Sequence, residues 1–184
     1  MKRLAYLTCF LVASVSNGAT VRDFGAVGDG VTDDTAAVQR AIDAVRVGGT
    51  VHVAVGSYSD NLDLHMATRD YYRNVIITKK VKVLGPDDPA DATFTFRNGS
   101  TSTHSCGILV GADGALVSGL TLTGYHQMSG DSYVANCGAV LHVKEGTVSN
   151  VVVTGCGCAS HTTQPVALTG GVITHSTIRD NYYN

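Results

Sequence analysis

Apolar residues recur along this chain with two different periods, and the change of period divides it. Ala37, Val38, Ala41, Ile42 and Val45 fall three or four apart, the spacing that gathers side chains on one stripe of a helix. Thr32 or Asp33 can cap its free N–H groups, Asp34 suits the positive end of its dipole, and Gly48-Gly49 stops it, so a helix is expected over 32–47. Before it, Gly25, Gly28 and Gly30 surround Asp29 as turn chemistry. From Thr50 the period falls to two. Thr50 to Val55, Val75 to Ile77, Val81 to Leu84 and Ala92 to Phe96 alternate as half-buried strands do. Gly85-Pro86-Asp87-Asp88-Pro89 is a turn, and the polar, tyrosine-bearing stretch 59–74 reads as a long loop.

The second half repeats. CGILVGADGALVSGLTLTG, from Cys106 to Gly124, aligns without a gap on CGAVLHVKEGTVSNVVVTG, from Cys137 to Gly155, and a shorter copy runs from Val166 to Asn181. Copies of this length, each holding two short strands, are the mark of a solenoid whose coils stack to share one core. The alignment predicts inward columns of Val110, Leu141 and Val166, of Ala112, Val143 and Leu168, of Val117, Val148 and Ile173, and of Leu122, Val153 and Ile178. The last copy stops at Asn184 without a polar cap. An uncovered coil would be an aggregation hazard, so the open end is expected to be covered by further coils of a longer protein or by self-association.

The opening segment adds a family. DFGAVGDGVTDDTAAVQRAI followed by GGTVHVAVGSY resembles the N-terminal signature of the pectate-lyase-like superfamily, which includes rhamnogalacturonase-type and epimerase-like domains. Ala54 stands where the family's turn has a proline. The resemblance, taken with the repeats, implies an all-β fold: a right-handed single-stranded parallel β-helix with an N-terminal capping α-helix. It bears on fold more than on function, since relatives cap the solenoid this way whatever the later coils do.

Composition supplies an address. Lys2 and Arg3 precede an apolar run from Leu4 to Val15 and the small tail Ser16-Asn17-Gly18-Ala19, which reads as a signal peptide over residues 1–19, with a β-helix domain over 20–184 and coils from residue 50. The expected product is secreted or held at the cell surface, with no transmembrane segment. Its loss would take the formal net charge from −2 to −4; with no basic run and no Trp, nucleic acid is not an expected partner.

Candidate chemistry is sparse. If Leu141 and Val143 point inward, His142 and Lys144 point outward beside the aligned Asp113, a trio that could meet a saccharide or form an ordinary solvated face. Asp87, Asp88 and Asp91 are the densest acids, able to hold Ca2+ or to make a surface turn; no other cofactor is expected. Cys106 and Cys137 take the same place in adjacent copies, as a disulfide or as two stacked thiols. Cys156 and Cys158 with His161 have metal-like spacing but lack a fourth ligand. No residue is assigned as catalytic: the polygalacturonase and pectate-lyase motifs are absent, and no column of aspartates stands where an inverting hydrolase needs carboxylates about 6.5–9.5 Å apart. Two functions stay open. One is the N-terminal part of a polysaccharide lyase or glycoside hydrolase on acidic, pectin-type glycans, inactive by itself. The other is a non-catalytic surface or adhesin-type β-helix that binds glycans.

Overall fold

The structure is a computed structural model that describes residues 16–60, 73–96, 106–124, 139–158 and 164–183. In chain order these form β1 (Ser16–Thr20), a 3-10 turn (Val21–Phe24), β2 (Asp29–Asp33), α1 (Thr35–Ala44), β3 (Val45–His52), β4 (Gly56–Ser59) and β5 (Arg73–Ile77). Then come β6 (Lys82–Leu84), a second 3-10 turn (Pro89–Asp91), β7 (Ala92–Phe96), β8 (Cys106–Val110), β9 (Leu116–Gly124) and β10 (Ala139–Val143). The last strands are β11 (Thr147–Thr154), β12 (Gly157–Cys158), β13 (Val166–Leu168), β14 (Val172–Thr174), β15 (Thr177–Arg179) and β16 (Tyr182–Tyr183).

The described residues are mostly β, and every strand pairing among them is parallel. A larger sheet carries two files. One runs β1, β3, β6, the first half of β9, the first half of β11, then β14; the other runs β2, β4, β7, the second half of β9, the second half of β11, then β15. A second sheet has the order β13-β10-β8-β5, and β12 pairs with β16. The two long strands bend at a left-handed residue, Gly119 (φ 74°) in β9 and Asn150 (φ 51°) in β11, which is how one strand serves both files.

The side chains between the sheets stack by register. Val51, Val83, Val117, Val148 and Ile173 form one column. Tyr58, Phe94, Leu122, Val153 and Ile178 form another. Within the stack they are buried, whereas Leu168 and Ile178 in the last turn are 55% and 53% exposed. Among the described residues the core therefore runs the length of the stack and is exposed at its last turn.

Two expectations are corrected here. The helix is shorter than 32–47: Asp29–Asp33 is strand β2, and Val45 turns extended (φ −80°, ψ 147°) to open β3. Val45 and Val47 are β-branched, and the backbone there finds partners in Ser16 of β1 and in the Lys80 carbonyl, which accepts from the Gly48 N–H, rather than in a further helical turn. Thr32 does not cap the helix; its N–H and hydroxyl go to Asp29. Asp33 accepts from the Thr35 N–H, while Asp34, only 1% exposed, turns its carboxylate back to the N–H groups of Val27 and Gly28. At the other end Lys79 Nζ donates to the carbonyls of Asp43 and Val45, which answers acceptors the helix leaves open.

The second correction concerns register. The ungapped alignment sets Leu141 beside Val110, but β10 meets β8 with Leu141 beside Ile108 and Val143 beside Val110. The cause is turn length: residues 111–115 separate β8 from β9, whereas only 144–146 separate β10 from β11. A slip of two leaves inward and outward faces unchanged. Of the stretch read as loop, Ser59 and Asp60 are buried, and 61–72 lies outside the described residues.

Candidate functional site

The outward face of β10 is where the sequence places its saccharide trio. Leu141 and Val143 are buried and His142 is half-buried, so parity puts the imidazole on the outer surface. Its Nε2 lies 3.1 Å from Thr169 Oγ1 in the following turn. Across the sheet, its neighbours in register are Leu109 and Ala167. Lys144 is exposed just past the strand, its backbone N–H given to the Val110 carbonyl. The two-residue slip leaves Asp113 within the longer neighbouring turn, exposed, and among the described residues no ion pair joins it to Lys144. His142 and Lys144 thus share an edge, and Asp113 does not complete a carboxylate–ammonium pair with them.

The acidic cluster serves the backbone. Asp88 caps the 3-10 turn, accepting from the Ala90 N–H with its side chain and from the Asp91 N–H with its carbonyl. The Asp87 carbonyl accepts from Asn150 Nδ2, which ties this turn to the bend of β11. Asp87 and Asp88 are exposed, and among the described residues no three His, Cys, Asp or Glu side chains are set to hold one metal ion. Pro86 and Pro89 restrict the backbone on either side, and the Asp88 carboxylate is spent on the Ala90 N–H of the turn.

The cysteines divide. Cys106 is buried in β8 with Ala139 and Arg73 as its register partners, so the place beside it belongs to a residue two positions after Cys137; Cys137 itself lies outside the described residues. His161 lies outside them too. Cys156 is packed into the core with its Sγ directed at the Thr154 carbonyl, 3.5 Å away. Burial pushes its thiol up to about 12, which keeps it protonated at neutral pH and removes the thiolate that a metal or an electrophile requires. Iodoacetamide at pH 8 should therefore leave Cys156 unlabelled in the native chain and label it once urea unfolds the core. Rapid native labelling, read by peptide mass, would contradict the burial.

Three groups that the sequence reading does not place in a functional site fix the N-terminal end of the stack. Gln39, on α1, accepts from the Ile76 N–H through Oε1 (2.8 Å) and donates to the Ile76 carbonyl through Nε2 (3.1 Å). The guanidinium of Arg22 donates to the carbonyls of Val27 and Val55. The hydrogen bonds that Asp29 accepts from the N–H of Thr32, the N–H of Val31 and the Thr32 hydroxyl hold its carboxyl below the usual range, a turn role rather than a ligand role. No helix among the described residues is long and apolar enough to cross a membrane.

Comparison with known proteins shows what the chain is similar to. Residues 19–78 match the family model described as Rhamnogalacturonase A/epimerase, pectate lyase-like. Mannuronan C5-epimerase AlgE3 of Azotobacter vinelandii is 60% identical over 80 residues, 42% of this chain and 3% of that protein. AlgE1 of the same organism is 62% identical over 40 residues, 21% of this chain and 3% of that protein. Alginate lyase 7, also from Azotobacter vinelandii, is 60% identical over 40 residues, 21% of this chain and 5% of that protein. The chain thus spans only a few per cent of the length of these curated relatives. Among solved structures, the A-module of the Azotobacter vinelandii epimerase AlgE4 aligns with 90% of this chain and 52% of its own, at a TM-score of 0.47 and 20% identity. ORF18 of Geobacillus virus E2 aligns with 79% of this chain and 27% of its own, also at a TM-score of 0.47 and 20% identity. Over residues 19–78 the chain is similar to the family described as Rhamnogalacturonase A/epimerase, pectate lyase-like.

Proposed function

We propose that the chain is a polysaccharide-modifying domain: a right-handed single-stranded parallel β-helix, capped at its N-terminal end by α1, exported to work on acidic glycans of the mannuronan class. The observation that carries this is the 60% identity over 80 residues to a mannuronan C5-epimerase. The parallel files and stacked columns support the architecture. Gln39, occupying the backbone edge of Ile76, supports the cap.

Epimerisation and β-elimination of a uronate both begin by removing the proton α to its carboxylate, which needs a base and a cation to take up the developing charge. His142 and Lys144 supply an imidazole and an ammonium on one edge. With Leu109 and Ala167 as the neighbours of His142, this chain's share is assigned to holding the glycan rather than to turnover. The same observation favours the second reading, a glycan-binding surface protein.

The test is to present polymannuronate, polygalacturonate and a neutral dextran to the full chain, recording binding by calorimetry and product by proton NMR. Retention of the two polyuronates over dextran, weakened in His142→Ala and Lys144→Gln, is expected. Equal retention of dextran would favour the surface-protein reading, and no retention of either polyuronate would end the proposal.

A further inference from the structure

A second charged surface lies two strands along the same sheet from His142. Where β5 turns into β6, the Gly48 N–H donates to the Lys80 carbonyl at 2.6 Å, and Thr50 of β3 sits in register with Lys82 of β6. Val51 and Val83 beside them point into the core, so Thr50 and Lys82 face outward. Arg46, His52, Lys80 and Lys82 are all exposed on these neighbouring segments. Among the described residues none of Arg46, Lys80 and Lys82 makes an ion pair.

The arrangement is built rather than incidental. Lys79 holds the turn in place through its two carbonyl bonds to the end of α1. Gly114 (φ 69°) leaves the space that the stem of Lys80 crosses: a Cβ there would stand 3.0 Å from both Cδ and Cε of the lysine. The cationic run ends at the next strand, where Leu116 takes the place beside Lys82. Beyond it Asp113, Lys144 and Glu145 mix the signs. A chain with formal net charge −2 thus concentrates on two adjacent turns three cations that form no ion pair among the described residues.

We infer that Arg46, Lys80 and Lys82 form a second contact surface for the carboxylates of a polyuronate, two turns along the stack from Lys144 of the His142 edge. This rests on the acidic-glycan reading above. Cations on neighbouring turns of the stack can meet carboxylates that recur along one polymer, and such contacts steer encounter as well as hold. A neutral glycan offers nothing for them.

The experiment compares polymannuronate binding by the full chain, by the triple variant Arg46→Gln/Lys80→Gln/Lys82→Gln, and by Arg179→Gln, which removes an exposed cation at the far end. The triple variant should bind about tenfold more weakly with a shallower dependence on salt, and Arg179→Gln should match the parent. Lysine acetylation of the parent gives a reading free of any folding change: bound polymannuronate should protect Lys80 and Lys82. Unchanged affinity in the triple variant together with loss in Lys144→Gln would overturn this surface and leave the acidic-glycan reading standing. Absence of binding by the parent would overturn both. Unprotected Lys80 and Lys82 in the bound parent would overturn the surface alone.

Discussion

Replacing Tyr58 by alanine should lower the stability of the fold by about 3–5 kcal/mol, the range seen when a buried aromatic side chain is removed. The ring is fully buried, lies 4.9 Å from that of Phe94 between centroids at an interplanar angle of 18°, and donates its hydroxyl to the Ala54 carbonyl at 2.7 Å. Phe94 stacks in turn on Phe96, two residues along β7, at 6.2 Å, so the loss would open a void inside an aromatic cluster of the core. The check is the urea midpoint with unchanged slope. A loss under about 1 kcal/mol would mean that the column closes over the gap.

The same residue carries a pH signature. Burial raises the Tyr58 phenol above its ordinary value, because the charged form is poorly solvated there. In the unfolded chain it titrates near the ordinary value, about 10. The stabilisation is therefore fully present below that value and is lost as pH rises from there towards the folded value. Tyr58→Phe should lose only the hydrogen bond, about 1 kcal/mol at neutral pH, and should flatten the alkaline limb of stability against pH. An alkaline limb identical in the parent and in Tyr58→Phe would show that another group sets it.

Gly119→Val should cost about 3 kcal/mol or more, since two penalties meet at one atom. The residue is left-handed (φ 74°), a conformation especially unfavourable for a β-branched side chain, and a Cβ there would run into the Pro86 carbonyl oxygen and come within 2.9 Å of Gly85 C. Gly48 separates the penalties. It is also left-handed (φ 82°), but nothing lies within 4 Å of its would-be Cβ, so Gly48→Ala should lose only about 1–2 kcal/mol. Equal losses at the two positions, measured by denaturant unfolding, would show that the Pro86 turn moves aside. Asn150 occupies the corresponding bend one turn later and uses its side chain to bond the Asp87 carbonyl.

Much of this architecture is legible in the sequence because parity is local. Val117, Val148 and Ile173 stack as the aligned copies predict, and so do Leu122, Val153 and Ile178, since the bend between these columns has the same length in each turn. The β8–β10 register was hidden because a turn can take up two residues without disturbing which faces are apolar. The helix was overread at both ends: the apolar spacing continues into Val45, but sheet partners claim that backbone. The candidate site was less legible still. The outward position of His142 follows from alternation, whereas its contact with Thr169 and the distance of Asp113 from Lys144's edge depend on turn lengths that alternation does not encode.

One consequence of Gln39 concerns how the molecule forms rather than how it stands. Its amide fills both backbone groups of Ile76, the place where another strand would otherwise add to β5. α1 can form from contacts near in sequence, while β5 must wait for pairing across many residues. A chain in which the helix docks late would present β5 as a template to its neighbours in solution. The yield of monomer on refolding at high concentration would then be governed by the timing of one side chain's arrival, and two variants of equal final stability could differ widely in how much of each survives.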